Sequence, residues 1–162
     1  MKDLTQITAT VAAETVTVVS IDPSGEDKLS LERIFNHWNW ALSMEPKWLL
    51  QSASTLERAL NIIRDTRSPI VLSECDLAPG SWKDVLARLS TLPDPPSLIV
   101  ASRFADDRLW AEALNLGAYD VLTRPFDSEE LLRVLGSAWI HQQRRLSEIT
   151  GRRRSLMTAA AG

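Results

Sequence analysis

The feature that most constrains the fold is an alternation of short apolar runs with segments of helical spacing. Five runs have the composition of β-strands and are bounded by turn residues or prolines, at positions 15–21, 48–53, 69–73, 97–101 and 119–122. Between and after them, apolar residues recur at intervals of three and four, as in Leu31, Ile34, Phe35 and Trp38. Strands that alternate with helices predict a parallel sheet covered on both faces, in which the strands are continuously apolar, as these are.

The length of the chain favours a single domain. At 162 residues it can bury a substantial core. We predict one doubly wound α/β domain over 14–146, with disordered tails over 1–13 and 147–162. The last helix is expected to start after Asp127 and to end near Arg145.

Composition limits the partners and the location. The net charge of −3 gives no general attraction to nucleic acid or to anionic membranes, and no apolar run approaches the roughly 20 residues of a membrane span. The start of the sequence lacks the features of a secretory signal. Cys75 is the one cysteine, which fits a reducing compartment. We therefore predict a cytoplasmic protein that binds no membrane, and we expect no nucleic-acid binding.

Polar side chains follow the apolar runs at positions that a parallel sheet would bring together. Asp22 follows the first run, Glu74 the third, Ser102 the fourth, and Arg124-Pro125 the fifth. The carboxyl ends of parallel strands lie at one edge of a sheet, where folds of this class place their sites. The sequence thus predicts a pocket that holds acids, a hydroxyl group and a cation.

In this order and spacing, the segments resemble the receiver domain of bacterial two-component response regulators, over about 15–145. The resemblance is carried by the acidic turn at Asp22, the sequence ECDLAPG that starts at Glu74, Ser102, and Arg124-Pro125-Phe126. It implies a CheY-like, flavodoxin-like fold with a five-stranded parallel sheet in the order 2-1-3-4-5. In that family an aspartate after the third strand accepts phosphate from a histidine kinase, two acids after the first strand hold Mg²⁺, and a lysine before a proline pairs with the phosphoryl group.

The acceptor position departs from the family pattern. Alignment on the ECDLAPG segment places Glu74 there, whereas an offset of one residue places Cys75 there, so neither alternative supplies the aspartate. Asp76 is two residues further along, and it shares the face of Glu74 only if the strand continues that far.

The metal position is also incomplete. Asp22 remains, but its neighbour is Ile21 or Pro23, and Glu26 or Asp27 supplies a second carboxylate only if the turn folds back. We therefore expect no cofactor, and any Mg²⁺ binding at Asp22 is expected to be weak.

The cation position also departs from the family pattern. Arg124 replaces lysine, and its planar guanidinium can pair with the longer Glu74 side chain. A resident ion pair of this kind would mimic part of the phosphorylated state.

Val121 stands where the family often has an aromatic switch residue, and we assign it, with Trp110, to the face formed by the fourth helix, fifth strand and fifth helix.

These observations predict an atypical receiver that is not an enzyme and that acts as a protein-interaction module, independent of phosphorylation. Its expected partners are a histidine kinase, a downstream effector, or a second copy that binds through the face of Trp110. One alternative is a conventional single-domain regulator that accepts phosphate at Glu74 or Asp76. A second is a truncated regulator whose basic tail binds nucleic acid.

Overall fold

A five-stranded parallel sheet forms the centre of the molecule. The computed structural model describes residues 14–161. The strands are β1 (Thr15–Ile21), β2 (Lys47–Ala53), β3 (Ile70–Glu74), β4 (Ser97–Ser102) and β5 (Asp120–Thr123). Their order is β2-β1-β3-β4-β5, and every neighbouring pair is parallel. This confirms the predicted doubly wound α/β fold and its strand order.

Five α-helices connect and cover the strands. They are α1 (Lys28–Asn36), α2 (Leu56–Thr66), α3 (Trp82–Leu89), α4 (Asp107–Leu116) and α5 (Ser128–Ala160). A π-helical turn over His37–Ala41 extends α1, and an antiparallel hairpin of Asp76–Leu77 with Gly80–Ser81 separates β3 from α3. No helix that the structure describes is long and apolar enough to cross a bilayer.

The sheet separates two hydrophobic clusters, which explains why its strands are apolar at consecutive positions. Val18 packs on one side with residues of α1 and α5, whereas Val19 packs on the other side with residues of α2, α3 and α4. Both valines have no exposed surface. Successive side chains of a strand point to opposite faces, so a strand covered on both faces must be apolar throughout.

The last helix is longer than the sequence predicted. α5 continues to Ala160, so the prediction of a disordered tail over 147–162 is wrong for the part of it that the structure describes. The segment 147–160 contains no proline, and its alanine, leucine, methionine and arginine residues favour helix enough to tolerate Gly151. The predicted tail over 1–13 lies outside the described residues.

Candidate functional site

Three of the predicted site residues meet at the carboxyl edge of the sheet. Glu74 is the last residue of β3, Ser102 is the last residue of β4, and Arg124 follows β5. The backbone N–H of Arg124 donates to the carbonyl of Ser102 at 3.0 Å, which fixes where the arginine side chain starts. The three residues line one cleft of about 120 Å³.

Arg124 joins two carboxylates that come from different strand ends. Its Nη1 donates to Oε1 of Glu74 at 3.0 Å, and its Nη2 forms an ion pair with Oδ2 of Asp27. The arginine side chain is only 5% exposed, whereas the carboxylate side chains are 22% and 17% exposed. The guanidinium therefore lies beneath the surface, and both partners neutralise it.

The turn after β1 brings Asp27 to this position. The Asp22 carboxylate is 8% exposed and accepts hydrogen bonds from the Ser24 hydroxyl at 2.7 Å and from the Asp27 N–H at 2.9 Å. Gly25 adopts a φ of 72°, the left-handed region that glycine enters without a steric penalty. The turn thus folds back. Of Glu26 and Asp27, the two candidates for a second carboxylate, Asp27 enters the site. Glu26 instead forms an ion pair with Arg103 at the surface.

The protonation of the cluster follows from burial and from Arg124. Burial raises the pKa of both Glu74 and Asp27 above the usual range, and the hydrogen bond and charge of Arg124 offset only part of that rise. Burial also acts to raise the pKa of Asp22, but the hydrogen bonds from Ser24 and from the turn outweigh it and leave that pKa below its usual value. Burial acts to lower the pKa of Arg124, yet its pairing with Asp27 and Glu74 prevails and raises it.

The arrangement does not fit the Mg²⁺ site that the resemblance implies. Mg²⁺ requires carboxylate oxygens that are free to converge on one point. Here Asp22 is held by its own turn, while Asp27 and Glu74 are held by Arg124. Within residues 14–161, no three histidine, cysteine, aspartate or glutamate side chains form a group that could hold a metal ion.

Glu74, rather than Cys75, pairs with Arg124, although both residues line the cleft. β3 ends at Glu74, and the Cys75 side chain packs half-buried against the hydrophobic cluster beneath α2, α3 and α4. Burial raises the pKa of the Cys75 thiol, which disfavours the reactive thiolate. Asp76 begins the hairpin, so it does not extend β3, and it is exposed at the rim of the cleft.

The two residues assigned to an interaction face are placed differently. Val121 has no exposed surface and lies in the cluster beneath α4, so its assignment to a surface is wrong. The cause is that β5 is covered on the face to which Val121 points. Trp110 packs against the same cluster but is half-buried, and its contact with a partner stays a prediction. Pro125 is exposed and follows Arg124 through a cis peptide bond.

Comparisons with known proteins point to one class of domain. No protein-family model matches the chain. It is 27% identical over 86 residues to the sensory transduction protein LytT of Bacillus subtilis (strain 168), a match that covers 53% of this chain and 35% of LytT. The chain therefore spans about a third of the length of that relative.

The similar solved structures are receiver domains. The receiver domain of an HD domain-containing protein from Pseudomonas fluorescens Pf-5 is 26% identical, with a TM-score of 0.65 over 86% of this chain and 96% of that domain. A putative response regulator from Chloroflexus aurantiacus J-10-fl is 16% identical, with a TM-score of 0.66 over 77% of this chain and 98% of its own.

The fold is therefore that of a response regulator receiver domain. This is the domain type of two-component signalling, and both the LytT match and the solved neighbours agree with it. The site at the strand ends differs from the implied family pattern in its nucleophile, its metal acids and its cation.

Proposed function

We propose that this receiver domain acts in two-component signalling as a protein-interaction module whose state does not depend on phosphorylation. The observation that carries the proposal is the Arg124 guanidinium held between Glu74 and Asp27. The cation of the site is already paired with a carboxylate that reaches one methylene further than aspartate. The ion pair supplies internally part of what a phosphoryl group and its cation would supply.

The same contacts disfavour phosphoryl transfer. A carboxylate nucleophile must be free to approach the phosphorus atom, and a divalent cation must offset the charge of the incoming phosphate. Glu74 is held by the hydrogen bond that its Oε1 accepts from Arg124, and the Asp22 carboxylate is held by the Asp27 N–H. We therefore propose that the domain is not an enzyme and requires no cofactor.

The proposed partners are signalling proteins, namely a histidine kinase, a downstream effector or a second copy of this chain. Receiver domains commonly use the face of α4, β5 and α5, and here α4 and α5 carry apolar side chains with about half of their surface exposed, Leu114, Leu116 and Ile140. Beneath this face, Val121 occupies the position of the family's aromatic switch residue, and it has no aromatic ring whose rotamer could change. This supports a face with one fixed shape.

Labelling with acetyl phosphate and Mg²⁺ tests the proposal. Intact-mass measurement is expected to find no stable phosphoryl adduct on the full chain, under conditions in which a conventional receiver with an aspartate acceptor is labelled. Stoichiometric Mg²⁺-dependent labelling would contradict the proposal. Loss of that labelling in Glu74→Gln, or in Asp76→Asn, would identify the acceptor and establish the conventional alternative.

Asp76 is the residue that keeps the conventional alternative worth testing. It is exposed, lies at the rim of the cleft, and none of the residues in the described part of the chain forms an ion pair with it. The cytoplasmic location, and the bacterial origin that the resemblance implies, stay predictions.

A further inference from the structure

The last part of α5 leaves the body of the domain. Gln142 is the last buried residue of the helix, and its Nε2 donates to Ser97 Oγ at 2.8 Å and to the Pro95 carbonyl at 3.1 Å. From Leu146 to the end of the helix every residue is exposed. An isolated helix of this length, roughly 22 Å at 1.5 Å per residue, is only marginally stable in water.

This exposed segment carries a seven-residue apolar repeat. Beyond Gln142, which is buried against the domain, the a and d positions of a heptad alternate at intervals of three and four; they are Leu146, Ile149, Arg153, Leu156 and Ala160, and all but Arg153 are apolar. Leu146, Ile149 and Leu156 are 47%, 38% and 71% exposed. A spacing of 3.5 residues is the pattern of a helix that packs along another helix in a coiled coil.

The a, d, e and g positions form the seam of this helix, and the charges along the seam are all positive. Arg153 occupies an a position in the middle of the stripe, and Arg152 occupies the flanking g position. No acidic residue stands at any a, d, e or g position from 142 to 160, because Glu148 falls at position c. The seam therefore lacks the negative charges that would complement it.

This charge pattern disfavours a second copy and a membrane as the occupant. In a parallel pair of copies, Arg153 would face Arg153 of the partner subunit. In an antiparallel pair whose two helices cross at position 152, facing g positions would bring Arg152 against Arg152 of the partner subunit. On a membrane, Arg153 would lie at the deepest point of the apolar face, where a charge is most costly.

We propose that residues 146–160 of α5 bind an acidic amphipathic helix of a partner protein in a two-stranded coiled coil. The partner helix presents apolar side chains to Leu146, Ile149 and Leu156, and carboxylates to Arg152 and Arg153. This surface is separate from the strand-end site, so it stands or falls independently of the proposed phosphorylation-independent role.

The test uses the full chain and a synthetic acidic heptad peptide, with isoleucine at a, leucine at d, glutamate at e and g, and one glutamate at the a position opposite Arg153. At physiological salt, calorimetry is expected to find binding to this peptide and none to its lysine counterpart. Ile149→Asp and Arg152→Glu are each expected to weaken binding at least about tenfold.

Arg154→Glu is the matched control, because Arg154 lies at position b, off the seam, and the charge change equals that of Arg152→Glu. It is expected to change the affinity less than about twofold. Equal losses in both variants, no binding of the acidic peptide, or tighter binding of anionic vesicles or duplex DNA would each overturn the proposal. So would a dimer of the unmodified chain, seen by light scattering, that Ile149→Asp dissociates.

Discussion

Arg124→Ala is expected to lower the free energy of unfolding by about 3–5 kcal/mol at neutral pH, the range found when one partner of a buried ion pair is removed. The substitution leaves Glu74 and Asp27 without the cation that neutralises both of them. Asp22 adds a third negative charge nearby. The three carboxylates would then repel one another in a partly buried site.

The loss is expected to shrink as the pH falls from 7 to 5. In the intact protein, burial already raises the pKa of Glu74 and Asp27, and Arg124 holds that rise back. Without Arg124 both pKa values rise further, so the folded state takes up protons at a higher pH than the unfolded chain and gains stability on mild acidification. The lowered pKa of Asp22 does not affect this window, because its stabilising contribution is lost only when the pH falls below the usual aspartate pKa.

Arg103→Ala is the matched control for this measurement. Arg103 also forms an ion pair, with Glu26, but both side chains are more than half exposed. Exposed pairs contribute about 0–1 kcal/mol, so urea unfolding followed by tryptophan fluorescence should separate the two variants clearly. Similar losses in both variants, or a loss in Arg124→Ala that does not change with pH, would contradict the claim that Arg124 neutralises two partly buried carboxylates.

The second large effect concerns metal binding. Arg124→Ala is expected to bind Mg²⁺ at least about tenfold more tightly than the unmodified chain. The carboxylates of Glu74 and Asp27 lose their guanidinium partner, and a divalent cation is then the available source of positive charge. Because Mg²⁺ would bind only the folded state, it should also restore part of the lost stability as its concentration rises.

Calorimetric titration with Mg²⁺ measures this change, and Arg103→Ala should bind no more tightly than the unmodified chain. A second variant, Arg124→Ala with Asp27→Asn, separates metal binding from general charge effects, and its gain should be reduced. The explanation fails if the unmodified chain binds Mg²⁺ as tightly as Arg124→Ala does, because Arg124 would then not compete with the metal.

The sheet could be predicted from the sequence because a strand buried on both faces must be apolar at consecutive positions, and each strand has such a run. The pairing of Glu74 with Arg124 could also be predicted, since both side chains emerge at the carboxyl edge of the sheet. The role of Asp27 could not, because it depends on how five residues after Asp22 turn back. The hydrogen bond between the Asp22 carboxylate and the Asp27 N–H is a three-dimensional contact that spacing alone left open.

Two errors have separate physical causes. The family pattern assigns Val121 to a surface, but a valine in a covered strand points into the core. The basic and then alanine-rich composition after residue 146 predicts a disordered tail, although these residues favour helix and apolar side chains with a heptad spacing run through them. Attention to that repeat could have predicted the length of α5.

A crystal structure of the unmodified chain, grown with Mg²⁺ and the phosphoryl analogue beryllofluoride, tests most directly whether the Glu74–Arg124 ion pair replaces a phosphoryl group and its cation. The predicted result is a guanidinium still in contact with Glu74 and Asp27, with neither metal nor fluoroberyllate between them. A fluoroberyllate on Glu74 or Asp76, with Mg²⁺ against Asp22 and Arg124 displaced from its carboxylates, would contradict the claim.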